Sequence, residues 1–242
     1  MGDTGCARFL HPAIRWWTER GVWPGPVDGT KFRAHIMMPL TQPPALLPLS
    51  LLEAVRNIDR PVEDGLEELS EEIVAKRLGL NPTVSAQITR YRGLVRQGRR
   101  VEPREVEAVF DLIARRPDAG LVYADAGRRA ARYAVRSLAV PRRVLLRLMP
   151  PGVRRRLGAR EAARLAGELF GASLSVGRLE ADGEFSGRRP ESGSCDFVGA
   201  ALGELARLLV GFEGALVHRE CRLEGATACR WHGEAAVPGN SF

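Results

Sequence analysis

Four residues near the C-terminal end carry side chains that together could hold a metal ion: Cys195, His218, Cys221 and Cys229. The whole chain has only four cysteines and four histidines, and the stretch "GALVHRECRLEGATACRWHGE", residues 214–234, holds two of each. Twenty-two residues separate Cys195 from His218, two separate His218 from Cys221, and seven separate Cys221 from Cys229. Thiolate sulfur and imidazole nitrogen are the donors that tetrahedral Zn2+ takes, at roughly 2.3 and 2.1 Å. A shell of four protein ligands leaves no position for water or substrate, so such a site is structural rather than catalytic. Strand neighbours alternate faces, so Glu220 and His232 are the alternatives to His218 as the fourth ligand.

The elements that would bring these residues together can be read around them. The run on either side of Gly225 predicts two short strands and a turn, which places Cys221 and Cys229 across the neck of a hairpin. "DFVGAALGELARLLVGF" predicts an amphipathic helix with Val198, Ala201, Leu202, Leu205, Leu208 and Leu209 as one apolar stripe and Gly211 as its stop. Cys195 sits just before that helix, which must fold back for the chain to enter the hairpin. Upstream, "ASLSVGRLEADGEF" alternates as a strand or hairpin, "AREAARLAGELFG" reads as a helix, and so does "VYADAGRRAARYAVRSL". In the last of these, Ala124, Gly127, Ala131 and Ala134 fall on neighbouring turns and permit close backbone packing. The expected fold class is α+β, with helices packed on a small antiparallel sheet over residues 119–242.

Residues 120–237 resemble the 4-vinyl reductase domain family, which also forms the sensor half of phenol- and xylene-responsive bacterial regulators. The resemblance rests on "HRECRLEGATACRW", with Cys221, Gly225, Cys229 and Trp231 at the family's positions, and on "YADAGRRAARYA", with Gly127, Arg128 and Arg129. It implies a zinc held by an upstream cysteine, matched by Cys195, and by the two hairpin cysteines; His218 stands where the family has Glu. It implies a fold shared with trafficking-complex subunits and an apolar pocket for a hydrocarbon-like, aromatic or lipid-like ligand. The histidine and tryptophan that anchor a phenol hydroxyl in the family have no counterpart between residues 100 and 215. The side chains expected at the pocket are Leu145, Leu146, Leu148, Met149, Leu165, Leu169, Phe170 and Leu174, which fits an apolar ligand.

Residues 46–118 read as an all-helical unit in front of this domain. Its helical runs are "PLSLLEAVRNIDRP", "EELSEEIVAKRLGL", "PTVSAQITRYRGLVRQ" and "EPREVEAVFDLIARR". "EEIVAKRLGLNPTVSAQITRY" resembles a helix-turn-helix, in which Thr83, Ser85, Gln87 and Arg90 would face a major groove. The charges are polarised: eight acids fall between residues 53 and 72, and eight bases between 76 and 104. Nucleic-acid binding through residues 68–104 is therefore an alternative, while packing or homodimerisation by the same helices is the reading favoured here. Residues 1–45 carry six prolines and no sustained periodicity, and the reading frame could open at Met37 or Met38.

Composition narrows the classes. Hydrophobic residues make up 45% and aromatics only 6%, so the core must be mostly aliphatic. The net charge of +7 is carried almost wholly by arginine, with Lys31 and Lys76 the only lysines, a pattern that a GC-rich genome or contact with acidic partners would produce. No apolar run reaches the length of a membrane span and no leader pattern opens the chain, so a cytoplasmic protein with reduced cysteines is expected. There is no nucleotide fingerprint and no acid/base pair. The expectation is a zinc-stapled small-molecule sensor rather than an enzyme; a one-component transcriptional regulator and a relative of the tetrapyrrole vinyl reductases are the alternatives.

Overall fold

The computed structural model describes residues 43–59, 81–140, 144, 148–186 and 194–235. Among them are six α-helices: α1 (Leu46–Ile58), α2 (Pro82–Arg96), α3 (Pro103–Ala114), α4 (Ala119–Ser137), α5 (Pro151–Leu165) and α6 (Ser194–Leu205). Four strands, β1 (Ser173–Val176), β2 (Glu180–Phe185), β3 (Val217–Glu220) and β4 (Cys229–Glu234), form one antiparallel sheet in the order β1-β2-β4-β3. The fold class is α+β, and the sheet packs against α5 and α6. The run expected to form a helix between α1 and α2 lies outside the described residues.

Local chemistry sets the helix starts. Asn81 caps α2, its Oδ1 accepting from the Thr83 amide at 2.8 Å, and Pro82 follows at the first helical position, where a missing N–H costs nothing. Pro103 and Pro151 open α3 and α5 in the same way. Apolar side chains at helical spacing, such as Val106, Phe110 and Ile113 of α3, then face the core. Helix α1 is buried from Leu46 to Val55, Glu53 included, against α4, α2 and α3. One cluster of buried side chains runs from Ala45 to Trp231, so α1–α3 share a core with the sheet-bearing part of the chain.

Two acids of the acid-rich run meet guanidinium partners in this arrangement. Glu53 accepts from Arg92 at 2.6 Å and from the Tyr133 hydroxyl at 2.7 Å. Asp59 accepts from Arg116 at 2.7 Å. Buried carboxylates with guanidinium partners avoid the large cost of an unpaired charge in the core.

Helix α6 is held from two sides by glycine. A Cβ on Gly127 of α4 would stand 2.1 Å from the Phe197 carbonyl oxygen, and one on Gly158 of α5 would stand 2.1 Å from the Leu209 oxygen. Only hydrogen fits at either place, so the backbones touch. Gly120 and Gly127 face the start of α6 while Arg132 reaches Glu204 near its end, so α4 runs parallel to α6. Gly158 lies by the end of α6 and Phe170 stacks edge-on against Phe197 at its start, so α5 runs antiparallel to it. The expected apolar stripe is buried except at Leu208, which stays 38% exposed.

A repeat invisible in the sequence reading appears here. Helix α5 runs into a single π-helical turn, Ala166–Phe170, then Gly171, then the β1–β2 hairpin. Helix α6 runs into the π-helical turn Ala206–Val210, then Gly211, then β3 and β4. Gly171 (φ 62°) and Gly211 (φ 78°) adopt the left-handed conformation that ends a helix without Cβ strain. Helix–hairpin thus occurs twice, and β2 and β4 pair antiparallel at the centre, Glu180 opposite Glu234 and Phe185 opposite Cys229.

The glycine contact gives a paired test. Gly127→Ala must separate α4 from α6 and should cost about 1–3 kcal/mol. Gly93→Ala, at a helical site with nothing within 4 Å, should be neutral or stabilising by up to about 1 kcal/mol. Urea midpoints of the two variants check this; equal midpoints would contradict it.

Candidate metal centre

The two helix–hairpin units meet at one end of the sheet, and the cysteines lie there. Cys195 stands in the first turn of α6, Cys229 opens β4, Cys221 follows the last residue of β3, and His218 lies within β3. A short 3-10 turn, Arg222–Glu224, carries the chain round from Cys221. Gly225 (φ 99°) completes the turn, and the Glu224 and Ala226 amides both donate to the Cys221 carbonyl, at 3.0 and 3.1 Å. This folding brings Cys221 back toward Cys229.

The donor atoms of Cys195, His218, Cys221 and Cys229 all lie within 4.8 Å of one another. Cys195 Sγ is 3.4 Å from Cys229 Sγ and 3.8 Å from Cys221 Sγ. Two thiolates on a tetrahedral zinc, each at about 2.3 Å, stand about 3.8 Å apart, so the sulfurs already have the spacing of a filled shell. The three cysteines are free rather than joined in a disulfide. The Arg222 amide donates to Cys229 Sγ at 3.5 Å and helps to fix the position of that sulfur.

A bulge decides between His218 and Glu220. Residues two apart on a regular strand share a face. In β3 the pairing slips between His218 and Glu220, so His218 sits opposite Trp231 and Glu220 opposite Arg230. Trp231 is buried on the helix side, and the His218 ring stacks on it at 4.9 Å and 15°. Glu220 goes to the outer face and accepts from Arg230 at 2.9 Å. His232 also lies on the outer face, 2.8 Å from Asp182, which raises its pKa. The structure thus gathers Cys195, His218, Cys221 and Cys229, and engages Glu220 and His232 elsewhere.

Gly199 has no part in the sequence analysis and Trp231 enters it only as a position of the family resemblance; the structure places both beside the cluster. A Cβ on Gly199 of α6 would meet the Trp231 ring at 2.4 Å, so the indole is wedged between α6 and His218 and sets the imidazole's plane. The available signal was a glycine inside an otherwise apolar helix.

The other expected site residues fall apart. Leu165, Phe170 and Leu174 are buried in the main core and Leu169 packs against it. Met149 is half-buried, Leu148 is 79% exposed, and Leu145 and Leu146 lie outside the described residues. A groove of about 390 Å³ lies on the outer sheet face instead, lined largely by polar side chains including Ser175, Asp182, Glu184, Arg230 and His232. Thr83, Ser85 and Arg90 are exposed along α2, with Gln87 half-buried, and Arg90 is drawn to Glu105 at 2.8 Å. The first helix of the expected helix-turn-helix lies outside the described residues. No protein-family model and no curated protein sequence matches the chain. Among the described residues no helix is long and apolar enough to cross a membrane.

Burial, followed by the hydrogen bond and charge of Cys229, raises the Cys195 pKa far above that of a free thiol. Three thiolates cannot sit this close without a cation, so a metal must displace protons to bind near neutral pH. Its apparent affinity should therefore climb as pH rises from about 6 to 8. Calorimetric titration with zinc in two buffers of different ionisation enthalpy should show protons released; equal heats in both buffers and a flat pH profile would contradict this.

Proposed function

We propose that the chain is a small-molecule binding or sensor protein whose sheet is stapled by a structural zinc ion, and that it is not an enzyme. The observation that carries this reading is the convergence of Cys195, His218, Cys221 and Cys229 from one helix start and one hairpin. Three sulfurs and one imidazole form a donor set that suits zinc better than a hard cation, and all four positions are filled by protein. With no open coordination site, the ion's part is to fix α6 to β3 and β4.

The binding role draws its support from the resemblance to 4-vinyl reductase domains. The segments "YADAGRRAARYA" and "HRECRLEGATACRW" are the ones on which that resemblance rests, and they supply the two helix and hairpin contacts on which this fold closes: Gly127 against α6, and the cysteine hairpin against Cys195. The resemblance implies an apolar ligand; Leu165, Phe170 and Leu174, expected to line its pocket, are packed in the core, so such a ligand would have to part them to enter.

Native mass spectrometry of the full chain should show one zinc per subunit. Thermal scans of the zinc-loaded protein with medium-chain alkanes and simple aromatics should show at least one that raises Tm, by the equivalent of about 2.7 kcal/mol at a hundredfold excess over Kd. A zinc-free spectrum, or a zinc-loaded protein that no apolar solute stabilises, would overturn the corresponding half of the proposal.

A further inference from the structure

At the opposite end of α6 from the metal centre, the molecule gathers exposed arginines and exposed aliphatic side chains. Four elements meet there. Helix α6 ends at Gly211, and Arg154 from the first turn of α5 comes within 3.5 Å of where that glycine's Cβ would be. Helix α4 arrives with Arg132 bonded to Glu204, and Arg136 lies one turn further toward its end. The β1–β2 turn, which carries Arg178 and Leu179, is anchored at this end because Ala181 and Val176 pack with Ala206 and Phe212.

The arginines here are mostly uncompensated. Arg136, Arg154, Arg155, Arg156 and Arg178 have no acidic partner among the described residues. The acids close by are Glu213, two residues past Gly211, Glu180 and Glu234, which face each other at the turn end of the sheet, and Glu204, already shared by Arg132 and Arg207; Arg207 and then Arg132 hold Glu204's pKa at about 2. The same elements carry exposed aliphatic side chains: Val140 (60% exposed) just past α4, Leu148 (79%) and Val153 (46%) at the entry to α5, and Leu179 (53%) in the β1–β2 turn.

We propose that this end of the molecule docks on an anionic lipid surface. Arginines without acidic partners supply attraction to lipid phosphates and carboxylates, and aliphatic tips among them enter the headgroup layer. Other occupants fit less well. A second copy related by a two-fold axis would set arginine against arginine. Nucleic acid would use the charge but gives no reason for a leucine as exposed as Leu148. The feature is independent of the metal centre and of any ligand in the core, so it stands or fails separately from both.

The test is co-sedimentation of the full-length chain with vesicles of phosphatidylcholine alone or with about 30% phosphatidylserine. Binding should be at least about tenfold tighter with phosphatidylserine and should weaken with salt. Arg155→Glu/Arg156→Glu should lower it about tenfold or more, and Leu148→Glu several-fold, with Tm unchanged because all three side chains are exposed. If the double variant fails to fold, Leu148→Glu alone carries the test. Equal binding to both vesicle types, no binding to either, or tighter binding to a DNA duplex that Leu148→Glu leaves unaltered would overturn the proposal.

Discussion

The fold turns on one constraint: Cys195 at the start of α6 must meet Cys221 and Cys229 at the neck of the last hairpin. Those sulfurs lie 3.4 and 3.8 Å apart across 34 and 26 residues of chain. Everything in between, the whole of α6 and β3, is enclosed by that contact. An ion shared by the four donors would close this loop and restrict the unfolded chain as a cross-link does, and its binding energy would become folding energy. The glycine contacts of α6 serve the same end. Gly127 lets α4 approach the first turn of α6 backbone to backbone, and Gly158 lets α5 approach the π turn that follows α6, so the helix is held at both ends by contacts that need no ion.

The site lies in only one of two similar halves. Both helix–hairpin units end their helix with a π turn and a left-handed glycine, and both send a hairpin into the shared sheet. Only the second carries the cysteines. Its edge strand β3 is exposed along its length and has a bulge, whereas β1 pairs with β2 in unbroken register. An edge strand of four residues gains little from pairing alone, and an ion bound at the cluster would supply what the short ladder lacks.

The helices, the two hairpins and the cysteine cluster were legible because their signals are local: a 3.6-residue period, alternation, a glycine at each turn, and soft ligands at short spacing. What escaped needed knowledge of neighbours. The choice of His218 over Glu220 depends on a slip in strand pairing that no composition reveals. The stacking of Trp231 between Gly199 and His218 depends on which face of β4 meets α6. The acid-rich and base-rich halves of residues 53–104 suggested an outward basic face. Arg90, Arg96, Arg99, Arg100 and Arg104 are exposed, while the half-buried Arg92 reaches the buried Glu53 at 2.6 Å because helices far apart in sequence are adjacent in space. Apolar side chains read as pocket lining, among them Leu165 and Phe170, are packed into the core, and sequence alone does not separate those two fates.

The central claim concerns the donors around a single ion. X-ray absorption at the zinc edge of the metal-loaded chain measures them directly. The account predicts a first shell of three sulfurs at about 2.3 Å and one nitrogen at about 2.1 Å, with His218→Ala exchanging the nitrogen for an oxygen of water and leaving the sulfurs in place. A shell dominated by oxygen, or a nitrogen that survives in His218→Ala, would contradict it.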